Sequence, residues 1–406
     1  MNKIYLNIQK YIKINFHNKI YKKIRIGIYV YSLKNGGMER QMASLLNHLD
    51  TVGLFKLFLF TSKKKEKNEY KIPKKTKRIT IKKKLKKNNN LVKIITFNKI
   101  DIFIYNFCWN FYEMNLLNNQ KNFKVIFYNH ESIFLWIYKK THTLLKRYEL
   151  FKKSKYIISL IPFENDYLFK KWGINSILMN NFIQYEYNLI VPSNLSSKTI
   201  LMIGRAKDKL KRLELGIKAM KYIIKEIPEC EMKIISDLNG IKHLKNLIKF
   251  LKLEKSVKFV GYTSTPEIYF KNSSLHIFPS ISESFGLVLA ETKIYGIPNI
   301  LVGLDYISLA KGGTIIIYKE DEKLIAKEAI KILKNEKLRK KLGKEARESM
   351  KKFNNKNLLK RWIKVLLSIF NGYKFFQKLK LKDKKISKLN ALNILKNQFK
   401  IIKKKK

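Results

Sequence analysis

The sequence predicts an α/β protein made of two successive parallel-sheet domains. A pattern of apolar strand, polar or glycine turn, amphipathic helix and strand runs from Ile24 to Lys171 and restarts at Thr199. That alternation is the signature of a parallel sheet covered by helices. Between the two runs lies Pro192-Ser-Asn-Leu-Ser-Ser197, polar and turn-rich, which reads as a domain boundary. Length agrees, because 406 residues exceed one ordinary core of about 100–200 residues.

Residues 1–22 alternate Ile, Tyr and Lys without a firm period and read as a basic extension, or as an amphipathic helix lying on a surface. The first domain, 23–192, opens with a strand over Ile24–Tyr31, then the loop at Gly36 and Gly37, a helix over Glu39–Leu49 and a strand over Leu54–Thr61, which is half of a Rossmann-like unit. The Lys/Asn-rich stretch 62–90, broken by Pro73 and a short strand at Arg78–Ile81, reads as a solvated excursion. Strands follow at Asp101–Phe107 and Lys124–Tyr128, then one long helix across Tyr138–Lys152, a strand at Tyr156–Leu160 and a helix around Asn165–Lys171.

The second domain, 193–352, repeats the order with strand Thr199–Ile203, helix Arg212–Glu226, strand Glu231–Ser236, helix Lys242–Leu251 and strand Val257–Val260. The run Ser274–Ser282 is a short buried strand ending in a Pro/Ser turn, and helix resumes at Gly286. Leu358, Leu359, Trp362, Val365, Leu366 and Ile369 recur at helical spacing and predict a terminal helix within 353–376, ahead of a basic tail, 377–406.

Hydrophobic residues make up 46% of the chain, with 25 Phe and 22 Tyr, so the heavy charge does not imply disorder. A formal charge of +56 invites a nucleic-acid reading. Lysine far outnumbers arginine, however, and Asn, Ile, Tyr and Phe are abundant while Gly and Pro are scarce, as AT-rich coding produces throughout a chain. Most of the charge is therefore read as solvated faces, with attraction to an anionic membrane or a polyanionic substrate as the functional alternative. Nucleic acid is a disfavoured partner, since no binding module is recognisable. Cys108 and Cys230 suit neither a disulfide framework nor zinc, which points to a reducing compartment. No signal-peptide run and no stretch of about 20 apolar residues is present, so cytoplasmic residence, peripheral to a membrane at most, is expected.

The segment Glu283-Ser-Phe-Gly-Leu-Val-Leu-Ala-Glu291 places two carboxylates around a strand-to-helix junction, where the N–H groups of Phe285, Gly286 and Leu287 are free to meet a ligand. Its pattern, E-x-F-G-x-x-x-x-E, resembles the signature of the retaining glycosyltransferases of family 4. Other segments fall in that family's order: Gly36-Gly-Met-Glu-Arg40 after the first strand, Ile203-Gly-Arg-Ala-Lys-Asp-Lys-Leu-Lys-Arg212 at the start of the second domain, then Val257-Lys-Phe-Val-Gly-Tyr262, Ile277-Phe-Pro-Ser280 and Tyr295-Gly-Ile-Pro298. Together they span residues 24 to 370.

The resemblance implies the GT-B architecture, two Rossmann-like domains facing across a central cleft, with the terminal helix crossing back to the first. It implies no cofactor, a UDP- or GDP-linked sugar as donor, and a glycan or lipid-linked acceptor. Arg205 and Lys211 would hold the diphosphate without a metal; the lysine lies one position later than in many members, and Lys209 is the alternative. Glu283 would approach the donor sugar, in front-face substitution or, in the other reading, as a nucleophile. Glu291 would accept from the ribose hydroxyls, or simply be an acid favoured near a helix N-terminus. Gly36 and Gly37 would approach the diphosphate or acceptor. His130 would meet the sugar, with Glu131 and Arg40 as weaker candidates. His243 and His276 read as structural or surface residues. No D-x-D triplet is present, so metal independence is expected. Domain closure is expected to complete the site. Two other functions use the same features: hydrolysis or epimerisation of the nucleotide sugar, and a basic nucleic-acid or membrane binder with a vestigial site.

Overall fold

A computed structural model of the chain describes residues 22–34, 36–81, 90–106, 110–138, 141–263 and 265–372. All but the last residue of the basic extension expected at 1–22, the tail expected at 377–406, and Cys108 lie outside the described residues. The chain divides into two compact units. The first holds the chain up to Glu131, Lys139–Phe182 and the C-terminal helix; the second holds Ser132–Tyr138 and Ile183–Asn354.

The first unit is built on strands β1 (Ile24–Val30), β2 (Phe55–Thr61), β3 (Lys77–Thr80), β4 (Ile102–Tyr105), β5 (Lys124–Tyr128), β6 (Tyr156–Ser159) and β7 (Ile177–Leu178). They form one sheet in the order β3-β2-β1-β4-β5-β6-β7, every pairing parallel. Register runs from Ile24 opposite Phe55 to Val30 opposite Thr61, and Ile26 stands opposite Ile102. A parallel sheet covered on both faces wants near-continuous apolar strands, and β4, Ile-Phe-Ile-Tyr, is wholly buried. Helix α1 (Gly37–Asp50) follows β1 and buries Met42, Leu45, Leu46 and Leu49. Helices α2 (Asn90–Phe97) and α3 (Phe111–Asn118) were not expected. Each is eight residues long, too short to display a clear 3.6 period in the sequence. Asn110 starts α3 by accepting from the N–H of Glu113 at 3.2 Å.

The helix expected over Tyr138–Lys152 is α5 (Thr141–Lys153), and the preceding α4 (Ile133–Tyr138) belongs to the second unit. Helix α6 (Pro162–Trp172) begins with proline and ends at Gly173 with φ +66°. The C-terminal helix belongs to this unit. It buries Leu359, Trp362, Ile363 and Leu366, and the Trp362 ring meets Tyr128 edge-on at 5.6 Å.

The second unit repeats the plan with β8 (Thr199–Ile203), β9 (Glu231–Ile235), β10 (Val257–Gly261), β11 (Leu275–Phe278), β12 (Asn299–Val302) and β13 (Thr314–Ile317) in the order β10-β9-β8-β11-β12-β13, again all parallel. Helices α7 (Leu213–Glu226), α8 (Lys242–Phe250), α9 (Glu267–Lys271), α10 (Leu287–Ile294), α11 (Glu322–Lys334) and α12 (Glu336–Ser349) complete it, and the C-terminal helix of the first unit, α13, is Asn355–Phe370. The core joins Ile200, Met202, Ile277 and Ile300 of the sheet to Ile217 and Met220 of α7 and Ile325 and Ile332 of α11. Helix α7 crosses β8 at Gly216, where a Cβ would stand 2.2 Å from the Met202 sulfur, so any side chain there would have to displace the buried Met202 thioether. No described helix is long and apolar enough to cross a membrane.

Candidate active site

In each unit the strand order reverses beside the first strand, between β1 and β4 and between β8 and β11. Open parallel sheets present their ligand sites at the carboxyl ends of the strands flanking such a point. Most of the residues singled out in the sequence lie there.

In the second unit, residues 204–212 follow β8 and residues 279–286 follow β11. The 3-10 turn Lys209–Lys211 is capped by Asp208, whose carboxylate accepts from the N–H of Leu210. This turn directs Lys211 to Glu283, with Nζ and Oε1 2.5 Å apart and both side chains partly buried. Lys209 is exposed. Arg205 is 67% exposed and reaches Asp208 at 3.2 Å, leaving its planar fork on the surface.

Two groups that sequence reasoning missed hold this geometry. Arg212, expected as the first residue of a helix, precedes α7 with φ +47° and is 1% exposed. It donates to the carbonyl oxygens of Pro279 at 2.6 Å and Ser280 at 3.4 Å and pairs with Glu320 at 3.1 Å, so it ties the loop after β11 to the loop after β8. Burial holds its guanidinium below the usual range, with Glu320 opposing. The N–H of Ile281, donating to Leu210, adds a second tie at 2.8 Å. Tyr306, after β12, grips the peptide of Glu283: its hydroxyl accepts from Glu283 N–H at 2.9 Å and donates to Glu283 oxygen at 3.0 Å. Burial pushes this phenol up to about 12, so it stays a donor. The ring of Phe134 packs against it at 4.2 Å. Nothing in the sequence marks Tyr306; Arg212 carries a weak signal as the last cation of a loop already of interest.

Gly286 precedes α10 with φ +85°, a conformation that favours glycine. Leu287 opens the helix, so the N–H groups of its first turn have no intrahelical acceptor. The Phe285 side chain is buried and meets Phe353 edge-on at 5.7 Å, which anchors the backbone. Glu291 is 3% exposed and lies in the second half of the eight-residue α10. It is outside the first turn, so the macrodipole reading of this acid does not hold. Burial and then the Glu291 charge raise Tyr185, burial and then the charges of Glu267 and Glu291 raise Tyr295, and Tyr185 donates to Glu267 at 2.9 Å.

In the first unit the corresponding strand ends carry a neutral hydrogen-bonded chain, with one ion pair beside it. Asn106 follows β4; its Nδ2 donates to the Tyr29 oxygen at 2.8 Å, and its Oδ1 lies 2.9 Å from His130 Nε2. Burial holds His130 down at about 3, so the ring is neutral. Glu131 pairs with Arg147 at 2.5 Å. Asn129 donates to the buried Glu164, which also accepts from Leu160 N–H at 3.2 Å; burial pushes this carboxyl up to about 8. Gly36 caps α1 in an extended conformation, and the Glu39 carboxylate packs so closely that a Cβ would stand 1.8 Å from it. Gly37 opens the helix and is exposed. His276 is a core residue, bonded through Nδ1 to Asn299 at 2.7 Å, whereas His243 is exposed.

Residues 189–349 match the family model described as Glycosyl transferases group 1. Poly(glycerol-phosphate) alpha-glucosyltransferase of Bacillus subtilis is 27% identical over 211 residues, 50% of this chain and 29% of that protein. The chain spans 35% and 29% of the lengths of the first curated relatives it matches. Among solved structures, a sucrose-phosphate synthase of Thermosynechococcus elongatus aligns with a TM-score of 0.71 at 18% identity, covering 86% of this chain and 100% of that one. Anabaena HepE, in complex with UDP and glucose, aligns at 0.68 and 14% identity over 85% of this chain and 100% of that one. The segment 189–349 is thus similar to the glycosyl transferases group 1 family, and it is carried on the two-unit GT-B type of α/β fold that the solved structures share.

Proposed function

We propose that this protein is a metal-independent, retaining glycosyltransferase of the family 4 type, moving a sugar from a nucleoside-diphosphate sugar to a glycan or lipid-linked acceptor. The observation that carries the reading is the Lys211–Glu283 pair at the strand ends of the second unit. A departing diphosphate needs cations fixed before charge develops. Lys211 is held by its turn and Arg205 lies on the same loop, so the two supply that charge from the protein itself. The N–H groups of Phe285, Gly286 and Leu287, at the entry to α10, add donors for phosphate or sugar oxygens, and Glu291 accepts from the ribose.

In this reading the bond from the anomeric carbon to the diphosphate oxygen breaks while the acceptor oxygen bonds on the same face. The acceptor proton passes to a leaving diphosphate oxygen, and Glu283 steadies the positive charge on the sugar. The UDP in the HepE structure favours a uridine donor. The name of the Bacillus subtilis relative favours a polymeric acceptor. The +56 formal charge would draw the enzyme to an anionic acceptor or to the membrane that carries it.

Thermal stabilisation across UDP- and GDP-sugars, with and without EDTA, tests the donor site. A selective shift that survives EDTA and disappears in Glu291→Ala is expected. Lys211→Ala should lower kcat about 100- to 1000-fold, as removal of one preorganised transition-state donor does. Product of inverted configuration, or full loss of transfer in EDTA, would sink the mechanism; absence of any shift would sink the donor assignment.

A further inference from the structure

His130 is held by a chain of hydrogen bonds that fixes which ring nitrogen carries the proton, and the chain begins at the backbone. The side-chain atom of Asn106 that faces the Tyr29 carbonyl, 2.8 Å away, is the amide nitrogen, because a carbonyl only accepts. Oδ1 is therefore the atom turned toward His130 Nε2 at 2.9 Å. An amide oxygen also only accepts, so Nε2 bears the hydrogen. In a neutral imidazole that leaves the lone pair on Nδ1.

The arrangement is rigid. Asn106 and Tyr29 are both buried, Asn106 to 0% exposure. Tyr29 stacks on Tyr105 at 5.4 Å and bonds Ser62 at 2.7 Å, which holds the carbonyl that orients the amide. The Tyr128 ring lies 4.1 Å from His130. Among the described residues, the other titratable groups of this strand end include Tyr128, the Glu131–Arg147 pair and the buried Glu164, and burial holds the ring neutral.

We propose that Asn106 is a positioning residue that holds His130 as its Nε2–H tautomer, so that Nδ1 meets a sugar hydroxyl as a hydrogen-bond acceptor. The hydroxyl rests on the transferase reading above; the tautomer does not. A histidine so held supplies neither a cation for phosphate nor a proton for a leaving group. Its contribution is orientation of a hydroxyl, and through it of the sugar ring.

The test is nitrogen-15 spectroscopy of the histidine rings in the full chain, with His130→Gln to assign the signal, alongside kinetics. The expected spectrum shows a protonated Nε2 and a bare Nδ1. Asn106→Leu should bring the Nδ1–H form into the spectrum and lower kcat about tenfold with donor KM little changed, the worth of one hydrogen bond. Asn106→Asp keeps an acceptor toward Nε2 and adds a charge, so it should retain the Nε2–H signal and raise the titration of His130 toward its ordinary range. A bare Nε2 in the wild type, or an Asn106→Leu variant with unchanged spectrum and kcat, would overturn the proposal. The expected spectra with no transfer from any donor would support the tautomer assignment and overturn the transferase reading alone.

Discussion

The two units share a sheet topology yet put opposite chemistry at the same topological place. At the β8/β11 strand ends the groups are ions: Lys211 with Glu283, Arg212 with Glu320, Arg205 with Asp208. At the β1/β4 strand ends Asn106, the neutral ring of His130 and the backbone of Tyr29 form an uncharged chain. Fixed charges suit a ligand whose own charge changes, as a departing diphosphate's does. Neutral donors and acceptors suit hydroxyls, which are told apart by direction. A common fold therefore decides where a site lies, and the side chains at its strand ends decide what it can hold.

The comparison is broken most forcefully at Arg212. Its side chain is fully buried, and its removal leaves Glu320 and two loop carbonyls without their cation. Glu320 is partly exposed, but each loop carbonyl left unsatisfied costs about 1–3 kcal/mol. Arg212→Ala is expected to lower the unfolding free energy of the second unit by that amount, read from its denaturant midpoint and m-value, while amide exchange in the first unit is unchanged. Equal losses in both units would mean that the ionic network is not what sets this unit apart.

The same contrast explains what could be read in the sequence. Strands β5 and β8 were legible to the residue, because Lys124–Tyr128 and Thr199–Ile203 are apolar runs bounded by turn residues. Lys211, Glu283 and Gly286 stood out because a family signature marks them. Arg212 did not, since in a chain with 86 lysines and arginines one more cation looks solvated. Asn106 and Tyr306 act through contacts with residues 77 and 23 positions away in sequence, and no local pattern encodes such a partner.

Tyr306 allows a finer cut through the ionic side. Tyr306→Phe keeps the ring against Phe134 but leaves the Glu283 N–H without its hydroxyl. A buried group left unsatisfied costs about 1–3 kcal/mol. If that strain is relieved by movement of the loop, kcat falls about tenfold while nucleotide binding, read by thermal shift, is kept. Wild-type kcat in this variant would mean that Lys211 alone positions Glu283.

The smallest effect is also the one in which the two units should move in opposite directions. Glu164 in the first unit is raised by burial from 4.5 to about 8. Its folded form keeps a proton that the unfolded chain gives up, so its contribution to stability is whole below about 4.5 and is lost as pH rises through about 8. Lys293 in the second unit is buried on the carbonyl oxygens of Lys311 and Gly312, at 2.6 and 2.7 Å, and is lowered by burial from 10.5 to about 7. Here the unfolded chain holds the extra proton, so stability rises from about 7 to about 10.5. Between about 7 and 8 the first unit should weaken as the second strengthens. Amide exchange reads the two separately. Glu164→Gln should flatten the slope of the first unit only, and Lys293→Met that of the second only. Acid acts on both alike: His130, lowered to about 3, and His276, lowered to about 4, each withdraw stability as pH falls from 6.5. Slopes of one sign in both units above neutrality would show that the pH response belongs to the chain's general positive charge, and not to the single buried groups that distinguish its halves.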